Sequence, residues 1–200
     1  MAVRILGLRL RGAAADNIAD GSKVATLCVS GLIVPAQRTP EGTLVACTTA
    51  VWQEIVNLLD KDWSQAFNIP PDKWEELIAG AFDKLGYKTT LTPRSGDHGR
   101  DVIAISEGIG CIKIIGSVKA YKPSHLVGYD DVRALLGVLS GEQDASKGII
   151  TTTSDFPPNI GKDPFISGFM PTRLELVNGS RLQDWFKNLS SLERVTPVGP

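Results

Sequence analysis

Two short stretches carry residue types that could work together on a phosphate ester. RSGDHGRDVIA, residues 94–104, puts Asp97 and Asp101 in and after a glycine-rich turn that runs into β-branched sequence. GSVKAYK, residues 116–122, puts Ser117 and Lys119 two positions apart at the end of an apolar run. Side chains along a strand alternate faces, so Ser117 and Lys119 share one face and Val118 takes the other. If the strand begun by Asp101 pairs with the strand that carries Lys119, a carboxylate and an ammonium meet at one end of a sheet. A hard cation such as Mg2+ takes oxygen ligands, commonly one or two carboxylates plus water and substrate phosphate. Such a cation lowers the pKa of a bound water and stabilises charge on a scissile phosphate. A neighbouring lysine orients that water or neutralises the developing oxyanion. An Asp and a Lys on adjacent strands also occur as plain surface residues, so spacing alone leaves that reading open beside the catalytic one.

The elements that must position these residues are legible from periodicity. In VWQEIVNLLDKDW, the residues Val51, Trp52, Ile55, Leu58 and Leu59 fall on one helical stripe. Pro70 and Pro71 reset the chain, Asp72 is a candidate N-cap, and a helix is expected over 73–85. Gly86 is suited to the C′ position that ends it. YKTTLTP, DVIAIS and CIKIIGSVKAY then read as three strands, and GYDDVRALLGVLSG as a helix with Val132, Leu135, Leu136 and Leu139 on one face. KGIITTTS and LELVNG read as two more strands, and SRLQDWFKNL as a closing helix with Ser180 as candidate N-cap. Strands interleaved with helices imply an α/β fold, a mixed sheet flanked by helices. Upstream, RILGLRLRG, KVATLCVSGLIV and TLVACTT are strand-like, with turn chemistry at Asp20-Gly21 and Pro40-Glu41-Gly42. Residues 1–48 are therefore expected to form a small β-rich extension that extends the sheet, reads a modified base or mediates dimerisation.

Composition sets bounds. The 200 residues are 42% hydrophobic and 22% charged, enough to bury a core. The formal net charge of -1 weighs mildly against nucleic-acid binding but leaves room for a local basic cleft. Cys28, Cys47 and Cys111 are odd in number and include no CxxC pair, which argues against a zinc site and for a reducing compartment. No apolar run approaches the roughly 18 residues of a membrane span. MAVRILGLRLRG is too interrupted by arginine for a signal peptide. A cytoplasmic protein without membrane contact is expected.

From about residue 50 to residue 187 the chain resembles the Mrr-like restriction endonucleases, a branch of the PD-(D/E)xK nuclease superfamily. The matching pieces, in order, are WEELIAGAFDKLGY, TPRSGDHGRDVIA, SVKAYK, DDVRALLGVLSG, DASKGIITTTSDF and LELVNGSRLQDWF. The resemblance implies a restriction-endonuclease-like fold over residues 49–195, Mg2+ (or Mn2+) as cofactor, and double-stranded DNA as partner. It aligns Asp101 with the metal-binding aspartate, Lys119 with the catalytic lysine and Glu75 with a helix glutamate that completes the acidic cluster. It also implies the Val118 carbonyl as a metal ligand. Ser117 stands where the family carries glutamine or glutamate, so its neutral, shorter hydroxyl is a departure from the pattern.

Arg94, Arg100, Lys113, Lys122 and Lys147 are candidate phosphate contacts, with Arg100 and Lys122 foremost because they adjoin Asp101 and follow Lys119. Asp97 and His98 read as turn residues, and Trp52, Trp74 and Trp185 as packing anchors. The expected activity is a metal-dependent DNA endonuclease serving restriction of or defence against foreign DNA, with a homodimer plausible for double-strand cleavage. Two alternatives stand beside it. One is a nuclease-fold DNA-binding or assembly module weakened by Ser117, and the other a repair or junction nuclease of the same fold.

Overall fold

A computed structural model of the chain describes residue 27, residues 31–93 and residues 99–192. Seven strands form one sheet in chain order: β1 (Ile33–Thr39), β2 (Gly42–Cys47), β3 (Lys88–Leu91), β4 (Val102–Ile105), β5 (Lys113–Lys119), β6 (Lys147–Thr152) and β7 (Leu174–Val177). The pairs from β1 to β5 are antiparallel, and β5–β6 and β6–β7 are parallel. The parallel steps need crossovers, supplied by the third and fourth of five α-helices among the described residues. The five are α1 (Thr49–Lys61), α2 (Pro71–Lys84), α3 (Tyr129–Gly141), the single turn α4 (Pro164–Ser167) and α5 (Gly179–Leu192). This is the mixed sheet flanked by helices that the sequence pattern predicts.

Strand alternation divides the apolar residues between two layers. Ile114 and Val118 of β5 face the cluster built by α1, α2 and α5, with Trp52, Trp74, Leu77 and Phe186 buried in it. Ile115 of β5 and Ile150 of β6 face the other cluster, where α3 contributes Val132, Leu135, Leu136 and Leu139. Trp52 and Trp74 anchor the first layer: their indole N–H groups donate to the Leu77 and Ala66 carbonyls, and both rings contact Phe186. They are fully buried packing residues, as the sequence suggested.

Several expectations change in detail. The hairpin at Pro40-Glu41-Gly42 forms, and β2 pairs with β3, so the described part of the N-terminal extension adds to the sheet. Leu27 is helical, where KVATLCVSGLIV was expected to be strand throughout. RILGLRLRG and the Asp20-Gly21 turn lie outside the described residues. Asp72 does not cap α2. Pro70 takes the N-cap position and Pro71 opens the helix, because proline at N1 has no N–H to leave unsatisfied. Gly86 ends α2 at φ 83°. The cap of α5 is Asn178, whose Oδ1 accepts from the Arg181 N–H at 3.1 Å, and Ser180 merely donates to the same oxygen. No helix among the described residues is long and apolar enough to cross a membrane.

Gly80 sits inside α2 at a point of close approach. A Cβ there would lie 2.7 Å from Trp52 Cδ1 and 3.1 Å from Cys47 Sγ. In an open helix Gly→Ala gains about 1 kcal/mol. Here Trp52 is held by its hydrogen bond and cannot give way. Gly80→Ala is expected to destabilise the fold by about 1–3 kcal/mol in urea unfolding. A gain in stability would mean that the indole is free to shift.

Candidate active site

β4 and β5 pair antiparallel with Val102 opposite Gly116. The chain enters β4 through Asp101, whose N–H donates to the Gly116 carbonyl at 2.9 Å. Its carboxylate reaches further along β5, where Oδ2 accepts the Val118 N–H at 2.5 Å. That is a short, charge-assisted bond, and it fixes the carboxylate one residue from Lys119. The end of β3 braces the same point, because the Thr92 N–H donates to the Asp101 carbonyl and the Thr92 hydroxyl to the Arg100 carbonyl.

Lys119 ends β5 with its side chain 24% exposed, and its Nζ lies 3.6 Å from Oδ1 of Asp131. Thr152, its register partner on β6, holds the Lys119 carbonyl through its hydroxyl at 2.8 Å. The ammonium therefore sits in a polar, partly open setting at the same end of the sheet as Asp101. Asp131 has no role at this end of the sheet in the sequence pattern. It lies in the first turn of α3, where its other oxygen, Oδ2, accepts the N-cap Gly128 N–H at 3.1 Å. An acid at the third position of a helix is a recognised capping signal. Only the tertiary placement of α3 over the Ser117 and Lys119 face turns that cap into a neighbour of the lysine.

The remaining candidates separate. Ser117 is 3% exposed, on the face of β5 that α3 covers. Glu75 is half-buried on α2, which packs on the opposite layer, so its place in an acidic cluster is carried by the family resemblance and not by the layer it occupies. Lys122 is exposed three residues beyond Lys119, in a turn closed by the His125 N–H on the Lys122 carbonyl. Arg100 forms an ion pair with Glu142. Lys147 pairs with Glu175 at 2.6 Å at the start of β6. With Lys119 opposite Thr152 in the register, that start is about 16 Å from the site at ~3.3 Å per residue. A groove of about 510 Å³ lined by Lys147, Glu175, Arg181 and Trp185 lies at that far end. There Glu175 is partly desolvated, which would raise its pKa, but hydrogen bonds from Lys147 and Arg181 outweigh this and lower it. Arg94, Asp97 and His98 lie outside the described residues.

Among the described residues no group of three or more His, Cys, Asp and Glu side chains is arranged to hold a metal. The donor fixed beside Lys119 is an oxygen donor, the Asp101 carboxylate. This suits a hard cation that completes its shell with water and phosphate, and not the nitrogen and sulfur set of a structural zinc.

At the start of β5, six residues from Lys119, Lys113 is caged by acids: Glu41 at 2.7 Å, Asp144 at 3.0 Å and Glu142 at 3.3 Å. Burial alone would lower its pKa, but the three carboxylates outweigh this and hold it raised. It is a structural cation, not the phosphate contact its charge suggested. Through Glu142 the cage also ties down Arg100, next to Asp101.

A family model described as a restriction endonuclease matches residues 67–186. No curated protein matches the chain. Among solved structures, the chain is similar to the MspJI restriction endonuclease in complex with a 27-mer oligonucleotide. That match has 18% identity and a TM-score of 0.41, over 72% of this chain and 34% of that one. It is also similar to the DNA modification-dependent restriction endonuclease AspBHI, with 15% identity and a TM-score of 0.42, over 96% of this chain and 41% of that one. The chain thus spans well under half the length of either protein.

Lys113→Met should destabilise the fold by about 2–3 kcal/mol near neutral pH. That is less than the ~3–5 of a fully buried pair, because Glu41 and Asp144 keep water contact. The pH dependence has a definite sign. The hydrogen bond from Lys113 holds the Asp144 carboxyl below its ordinary 3.8, so its contribution is present above that value and lost as pH falls through the lowered one. The raised Lys113 contributes below its ordinary value and loses this only as pH rises through the raised one, so the cage is intact at neutrality. Melting temperature against pH should therefore fall less steeply in acid for Lys113→Met than for the native chain. An unchanged neutral Tm would contradict the cage.

Proposed function

The chain belongs to the restriction endonuclease family whose model spans residues 67–186, and from that membership we propose that it is a metal-dependent endonuclease hydrolysing phosphodiester bonds of double-stranded DNA. The observation that carries this reading is the Asp101 carboxylate held at 2.5 Å by the Val118 amide, one residue from Lys119 at an open end of the sheet. Asp101 and the Val118 carbonyl would hold Mg2+ or Mn2+, with Glu75 proposed as an additional carboxylate on the strength of the family pattern. When bound, the cation supplies a more acidic water and charge stabilisation at the scissile phosphate. Lys119 donates hydrogen bonds to the attacking water or to a non-bridging phosphate oxygen and balances the charge that builds there. Lys122, exposed just past the strand, supplies a sequence-independent phosphate contact that sets the DNA's position. Arg94 is a further candidate contact, and Arg100 becomes one on release from Glu142. Cleavage of both strands would call for a second active site, hence a homodimer, and the biological role that fits is restriction of foreign DNA.

Ser117 favours a second reading. A neutral, buried hydroxyl at the position of an expected acid or amide would suit a DNA-binding module that has lost efficient cleavage.

Plasmid nicking with Mg2+ or Mn2+ separates the two. The native chain should nick, while Asp101→Ala and Lys119→Ala should each lose on the order of 10²-fold or more of the rate. If native protein and both variants bind DNA but are equally inert, the binding-module reading replaces the enzyme. Lys122→Ala should weaken DNA binding and reduce the slope of log affinity against log salt by about 1. Lys147→Ala, at the far end of β6, should leave that slope unchanged.

A further inference from the structure

We infer that Asp131, on α3, is a further acidic residue of the active centre, besides Asp101 and Glu75, and takes the part that Ser117 leaves open. The inference rests on the endonuclease reading above.

Ser117 and Lys119 point to the same face of β5, and α3 covers that face through Val132, Leu135, Leu136 and Leu139. A carboxylate meant to act beside Lys119 has two routes to it: from position 117 of the same strand, or from the covering helix. Position 117 carries a neutral hydroxyl. The helix carries Asp131 in its first turn, with Oδ1 3.6 Å from Lys119 Nζ. The carboxylate is also oriented, because Oδ2 is held by the Gly128 N–H at 3.1 Å while Oδ1 is turned toward the lysine.

The neighbouring acid shows that this is specific to one position. Asp130 is fully exposed and pairs at 3.7 Å with Arg133, on the solvent side of the helix. Asp131 is 28% exposed and turned inward. Glu75, the other acid that the family pattern would bring in, comes from a helix on the opposite layer of the sheet. Asp101 reaches the residue before Lys119 and Asp131 reaches the lysine's ammonium, so the two acids meet the end of β5 from separate elements. The Asp101 and Asp131 carboxylates, joined to the Glu75 carboxylate and Val118 carbonyl proposed above, make the oxygen-rich donor set that Mg2+ or Mn2+ takes when water and phosphate complete the shell.

The test is Mn2+ binding to the full chain without DNA, read from the electron paramagnetic resonance of free Mn2+. Asp131→Asn keeps an oxygen to accept from Gly128, so the helix cap survives, and an unchanged Tm verifies it. Asp131→Asn is expected to weaken Mn2+ binding by about 10-fold or more. Adding Ser117→Asp to Asp131→Asn should recover part of the loss by returning an acid to the same face. Should the buried aspartate prevent folding, the single variants decide alone. Asp101→Asn is the reference. If it loses Mn2+ while Asp131→Asn binds like the native chain, Asp131 is no ligand and the inference is overturned, with the endonuclease reading intact. If the native chain does not bind Mn2+, or Asp101→Asn binds it undiminished, the endonuclease reading falls and this inference with it.

Discussion

The hydrogen bond from the Val118 amide to the Asp101 carboxylate organises the whole end of the sheet. A backbone donor on a carboxylate contributes about 1.5–3 kcal/mol. Its larger effect is geometric. It keeps the chain entering β4 from fraying away from β5, and it fixes an acid beside a lysine from the neighbouring strand. Most of the fold can be understood as what is needed to hold that bond: a five-strand antiparallel run that delivers Asp101 at the start of β4, and a parallel crossover that brings Thr152 against the Lys119 carbonyl.

The charges around this point divide by task. Lys113 is locked among Glu41, Glu142 and Asp144, and Arg100 is drawn into the same network. That network ties together the β1–β2 turn, the start of β5 and the end of α3, and reaches the entry to β4 through Arg100. Lys147 is spent on Glu175 at the opposite end of the strands. Lys119, beside Asp131, and the exposed Lys122 lie at the open end. A net charge of -1 is compatible with a local site for a polyanion, because Glu41, Glu142, Asp144 and Glu175 are each paired with a cation away from Lys122.

Much of this was legible in the sequence. The strands and the four longer helices after residue 49 follow from apolar periodicity, while the single turn α4 was not legible, and the proximity of Asp101 to Lys119 follows from two adjacent strands and a short connection. What stayed hidden depends on tertiary context. Asp72 and Ser180 have good capping chemistry, but a preceding proline pair and Asn178 took those positions. Charge alone could not tell the caged Lys113 from the exposed Lys122, because the cage draws on residues up to 72 positions away. Asp131 carried a helix-cap signal and no sign of its second contact, since the approach of α3 to the end of β5 is set by the packing of Leu135, Leu136 and Leu139.

The central claim is that the Asp101 carboxylate and the Val118 carbonyl at the end of β5 form a cation site next to Lys119. Crystals of the full chain grown with Mn2+, with anomalous diffraction at the manganese edge, test it directly. The account predicts an anomalous peak within about 2–2.5 Å of an Asp101 oxygen and in reach of the Val118 carbonyl. Lys119 should be close by but not coordinated. An ordered Asp101 still bonded to the Val118 amide, with manganese only elsewhere on the molecule, would contradict it.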